Sequence, residues 1–122
     1  MLKKILYLSL LLVMPTTTVL AQTFEKDLIR TTSGDLEISF IGHGTLMLAF
    51  AGKTIHIDPY GKLADYQPLQ KAYLILLTHE HRDHLDLQAI SAIRTLETEL
   101  IANSTCAEKL NLQRFLKNGD ST

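Results

Sequence analysis

Three of the five histidines in the chain fall inside one short stretch, Thr78-His79-Glu80-His81-Arg82-Asp83-His84, with an aspartate among them. The run before it, Ala72-Tyr73-Leu74-Ile75-Leu76-Leu77, is short and apolar, the pattern of a buried strand. After it, Asp86 stands at the head of a helix-like pattern. The cluster is therefore expected in a loop at the C-terminal end of a strand, where open α/β sheets hold their ligands.

The residue types point to a metal. His79 and His81 are two apart, and in a turn leaving a strand both imidazoles can reach one ion. Asp83 and His84 follow closely enough to reach that ion or a neighbour. Imidazoles with one carboxylate suit zinc, and positions left open to water make such a site catalytic rather than structural. Zinc lowers the pKa of a bound water from about 15.7 towards about 7. A lone loop histidine is commonly a solvated side chain; the combination of four donors between a strand and a capped helix is far more specific.

The rest of the chain supplies a frame. Gln22 to Ser33 reads as a polar lead-in ending in a turn. Asp35 to Ile41 alternates polar and apolar residues, as a half-buried strand does. Gly42-His43-Gly44 interrupts it with a sharp backbone feature. Thr45 to Phe50 and Thr54 to Asp58 are further strands, separated by a turn at Ala51-Gly52-Lys53 and stopped by Pro59. Lys62 to Lys71 is a surface loop. Asp86 caps a helix from Leu87 to about Thr95, with Leu87, Ile90, Ile93 and Arg94 on one face. Glu99 to Asn103 is a strand. Ser104 or Thr105 caps a second helix, carrying Leu110, Leu112, Phe115 and Leu116 and ending at Asn118-Gly119. The fold class is α/β, a β-meander followed by strand-helix-strand-helix.

The first residues stand apart from this frame. Lys3 and Lys4 precede an apolar core from Ile5 to Val13, and Val19-Leu20-Ala21 resembles a cleavage site. Residues 1–21 are expected to be a secretory signal peptide, and 22–122 a partial domain. The apolar run is too short to span a bilayer comfortably, so no stable membrane anchor is expected after cleavage. Export to a bacterial periplasm or beyond is the expected destination. The single cysteine, Cys106, excludes an internal disulfide framework and a cysteine-based zinc finger. A formal net charge of −1, with no basic run and no aromatic stacking platform, argues against nucleic acid as a partner.

With these residues in view, the chain resembles the metallo-β-lactamase superfamily, whose T-H-x-H-x-D-H motif matches Thr78 to His84. Phe40-Ile41-Gly42-His43-Gly44-Thr45 and Ile57-Asp58-Pro59 resemble stretches of the branch holding ascorbate-6-phosphate lactonase-like and phospholipase-D-like enzymes. The resemblance implies an MBL-fold hydrolase that uses zinc, one ion or two, with manganese or iron less favoured. A metal-bound hydroxide would act on an ester, lactone, amide or phosphodiester of a small-molecule substrate. It implies His79 and His81 on a first metal and Asp83 and His84 on a second, with Asp83 also orienting the attacking water as the catalytic carboxylate. Asp58 would hold the metal loop from behind. His43 is either a site-lining residue or a glycine-flanked turn residue. His56 is expected to be a core histidine. Glutamate replaces His81 in the iron-using flavodiiron relatives, so His81 favours zinc.

The superfamily domain is an αββα sandwich of two similar halves, and the resemblance covers the first, N-terminal half only. The family's later ligands have no counterpart here, since no histidine follows His84. The chain is therefore expected to be a truncated form of a hydrolase and inactive by itself. An oligomer in which a second chain completes the fold is left open, and the alternative is a non-catalytic metal-binding remnant or half-domain.

Overall fold

The computed structural model describes residues 22–121; the expected signal peptide at 1–21 lies outside them. Among the described residues, six strands form one sheet in sequence order: β1 (Glu25–Thr31), β2 (Gly34–Gly42), β3 (Thr45–Phe50), β4 (Lys53–Ile57), β5 (Leu74–Leu77) and β6 (Glu99–Ala102). Strands β1 to β4 form an antiparallel meander, and β4, β5 and β6 run parallel. Helix α1 (Leu87–Ile93) makes the crossover between β5 and β6, and α2 (Ser104–Leu110) follows β6. This is the expected meander followed by strand-helix-strand-helix. Among the described residues no helix is long and apolar enough to cross a membrane.

The first strand corrects the sequence reading, which treats Gln22 to Ser33 as a lead-in and a turn. Residues Glu25 to Thr31 pair with β2 in unbroken register, from Glu25 opposite Phe40 to Thr31 opposite Gly34. Every residue of β1 is exposed. The strand is held by ladder hydrogen bonds and its hairpin, so it has no hydrophobic alternation to betray it. Its tight turn uses Gly34 at φ +122°, a conformation that disfavours a side chain. Lys26 Nζ also bonds Glu37 Oε1 at 2.7 Å across the pair.

Both helices lie on one face of the sheet. Ile75 and Leu77 of β5 and Ala102 of β6 form the floor on which Ala89, Ile90, Ala92, Ile93, Cys106 and Ala107 are buried. The small alanines let α1 sit close, so its packed face is turned from the expected one. Leu87 is 59% exposed and Arg94 terminates the helix in an extended conformation.

The second helix is shorter than its sequence suggests. Its N-cap is Asn103, not Ser104 or Thr105: Asn103 Oδ1 accepts from Cys106 N at 2.8 Å. It stops at Leu110 because Asn111 takes a left-handed conformation, φ 54° and ψ 43°. Beyond it the chain turns back, and Leu116 N bonds Ala102 O at the end of β6.

The opposite face of the sheet is also apolar. Cross-strand register places Phe40, Leu46, Ile57, Leu76 and Ile101 in one row, each opposite the next. Neither helix covers this row. Such a face is what a second sheet packs against in a layered sandwich.

Candidate metal centre

The parallel strands β4, β5 and β6 all end at one edge of the sheet. At that edge β2 turns into β3 through His43 and Gly44, and the histidine loop leaves β5. Backbone geometry sharpens the exits from β2 and β4. His43 has φ 52° after Gly42 at 134°, and Asp58, just beyond β4, has φ 44°. A shift of register in β2 between Phe40 and Gly42 aims the His43 turn at the loop after β5.

Asp58 is the hub of the edge. It is 2% exposed, and each of its carboxylate oxygens is engaged. Thr78 N donates to Oδ1 at 2.8 Å, and Thr78 Oγ1 donates to Oδ2 at 2.5 Å. His84 Nδ1 lies 2.8 Å from Oδ2. The Asp58 main chain is held too: Thr45 Oγ1 donates to its carbonyl at 2.7 Å and its N–H donates to Leu76 O.

These bonds assign protons. A carboxylate only accepts, so His84 Nδ1 carries hydrogen and leaves Nε2 with a free lone pair. Thr78 Oγ1 spends its hydrogen on Asp58, so it accepts from His79 Nδ1, 2.9 Å away. His79 Nε2 is thereby left as an acceptor as well. One buried carboxylate fixes the tautomer of two histidines, one directly and one through a hydroxyl. Such support raises the basicity of an imidazole and orients it.

Among the described residues, two groups of potential donors each have their ligand atoms within 4.8 Å of one another: His43, Asp83 and His84, and Asp58, His79 and His84. In the second, both oxygens of Asp58 already accept hydrogen bonds. The first is more exposed, and there His43 hydrogen-bonds Asp83. His43 Nε2 and His84 Nε2 stand 2.9 and 3.5 Å from Asp83 Oδ2. Asp83 titrates below the usual carboxylate range, first through its own backbone N–H and then through His43 and His84. The donor chemistry of this edge, imidazole nitrogens with one carboxylate, fits zinc.

His81 belongs to neither group. Its ring packs edge-on against that of His79, with centroids 4.6 Å apart. Its carbonyl accepts from His84 N and Leu85 N and so closes the loop. The rings of His79 and His84 are closer still, at 3.9 Å. His43 is a glycine-flanked turn residue, and its Nε2 reaches Asp83 at 2.9 Å. His56 is fully buried and bonds Gln70 O at 2.9 Å through Nε2, a core histidine as expected. Its Nδ1 has no partner among the described residues, and burial lowers its pKa.

Several supports were not visible in sequence. Gly44 leaves room for His84: a Cβ there would stand 3.0 Å from His84 Cε1. Asp86 does cap α1, accepting from Gln88 N and Ala89 N through Oδ1. Its other oxygen accepts from Gly61 N at 2.9 Å, tying the loop after Asp58 to the helix after His84. Tyr66, in the same loop, accepts from Tyr60 N, and burial pushes its hydroxyl up to about 12. Nothing in the spacing of these residues announces the second bonds. Local patterns show caps, whereas these partners lie far off along the chain.

A model of the beta-lactamase superfamily domain matches residues 37–121. The crystal structure of a "putative metal-dependent hydrolase" from Parabacteroides distasonis superposes with a TM-score of 0.79 at 46% identity. The match covers 82% of this chain and 46% of that one, so the chain spans about half the length of the solved relative. No curated protein matches.

Proposed function

The chain belongs to the beta-lactamase superfamily, and on that premise we propose that it carries the metal-binding half of an exported, zinc-dependent hydrolase. The observation that carries this reading is the pair of Nε2 lone pairs, on His79 and His84, set by Asp58 beside an ionised Asp83. His79, Asp83 and His84 would hold metal, with His81 beside His79 and His43 beside Asp83. Zinc, when bound, supplies a Lewis acid and a water of lowered pKa.

The chain's own groups have distinct work. Asp58 keeps Nδ1 of His84 protonated, and Thr78 passes the same constraint to His79. Asp83, kept ionised, can accept a proton from water or orient it. His43, 2.9 Å away, can share that proton. The substrate class is an ester, lactone, amide or phosphodiester of a small molecule. Export rests on the basic start, apolar core and small-residue site in residues 1–21.

The test is metal analysis of the purified protein together with hydrolysis assays on those four substrate classes. Zinc with turnover of one class supports the proposal. Iron in place of zinc contradicts the hydrolase. Zinc without turnover favours the rival, a metal-binding half-domain.

A further inference from the structure

We propose that Asn103 is a positioning residue for the metal loop, acting on His79 through the loop backbone. The inference rests on the metal-centre reading above and extends it to a residue outside the histidine motif. Asn103 follows β6 and caps α2 with Oδ1, which accepts from Cys106 N at 2.8 Å. Its other end, Nδ2, donates to Thr78 O at 3.2 Å. The two partners fix the amide orientation: a flipped amide would set NH2 against N–H and oxygen against oxygen.

The second bond lands beside the centre. Thr78 is the residue whose N–H and hydroxyl engage Asp58 and whose hydroxyl accepts from His79. On the other side of His79, Glu80 O accepts from Lys109 Nζ of α2 at 3.3 Å. The carbonyls flanking His79 are thus both held from α2, by Asn103 at its head and Lys109 in its last turn, while Asp58 holds the side chains from the end of β4. His79 is clamped between two elements that adjoin it only in space. Withdrawing the Asn103 donor leaves the Thr78 carbonyl unheld and lets the loop turn, carrying the His79 ring away from His84.

The two jobs of Asn103 separate by substitution. Aspartate caps a helix as well as asparagine does, but it has no N–H for Thr78 O and sets a carboxylate against that carbonyl. Asn103→Asp in the full-length chain should keep the parent's circular dichroism and melting temperature. Its zinc affinity, by chelator competition, should fall about tenfold, and the ligand-field bands of its cobalt(II) form should shift. Asn103→Ser, also a cap but too short to reach Thr78, should do the same. Variants with the parent's zinc affinity and cobalt spectrum would overturn the assignment, leaving Asn103 a helix cap alone. Loss of folding in both would also overturn it, by making the residue structural. A parent that binds neither zinc nor cobalt would instead overturn the metal-centre reading beneath it.

Discussion

Asp58 Oδ2 stands 2.8 Å from His84 Nδ1, a nearly buried carboxylate against a histidine that keeps its other nitrogen turned towards Asp83. The pairing sets the tautomer of His84. Replacing Asp58 with asparagine keeps the volume but removes the charge and lets an amide N–H face the ring. Zinc affinity of Asp58→Asn is expected to fall about ten- to a hundredfold, read by chelator competition. An unchanged affinity would show that the pair only packs.

Thr78 relays that constraint to His79. Thr78→Val keeps the backbone N–H bond to Asp58 and the side-chain shape but removes the hydroxyl. It is expected to weaken zinc binding about tenfold, and Thr78→Ser should restore it. Equal affinities in valine and serine forms would remove the relay.

Gly44 is required by a close approach rather than by its backbone angle. A methyl there meets His84 Cε1 at 3.0 Å, and the ring must move. Gly44→Ala should weaken zinc binding with little change in melting temperature. A stability loss with intact zinc binding would contradict this.

Asp86 joins two elements, and its roles separate by substitution. Asp86→Ala should cost about 1 kcal/mol for the lost cap, plus the loss of the bond from Gly61 N. Asp86→Ser keeps a capping oxygen and should recover most of the cap's share. Chemical denaturation of both variants provides the check. Equal losses would mean that the Gly61 bond dominates.

His56 gives the fold an acid limit. Burial lowers its pKa below the ordinary 6.5, so the folded protein holds it neutral. Below 6.5 the unfolded chain binds a proton that the folded chain does not, so stability rises with pH there and levels off above. Its contribution is lost as pH falls from 6.5 towards the folded pKa. Denaturation midpoints measured across this window should fall more steeply for the parent than for His56→Gln. Identical slopes would place the sensitivity elsewhere.

Where burial leaves a periodic trace, sequence and structure agree. Strands β2 to β5 carry alternation or an apolar run, and Asp86 announces α1. Strand β1 leaves no such trace, since all seven of its residues are exposed and it exists through pairing with β2. The end of α2 was hidden because Asn111, an unremarkable polar residue in sequence, adopts a left-handed conformation. At the site, the spacing of His79, His81, Asp83 and His84 drew attention to one loop. The contact of His43 with Asp83 spans 40 residues, and the Gly61–Asp86 and Thr78–Asn103 bonds each span 25. Such bonds follow from strands ending at one edge, which becomes visible only when the sheet order is known.

His84 belongs to both donor groups and is the residue that Asp58 orients, so it carries the central claim. Zinc titration of the purified chain beside His84→Ala tests that claim most directly. The parent is expected to take up zinc tightly and the variant to lose that uptake while keeping its secondary structure. A parent that binds no zinc, or a variant that binds it as tightly as the parent, would contradict the account.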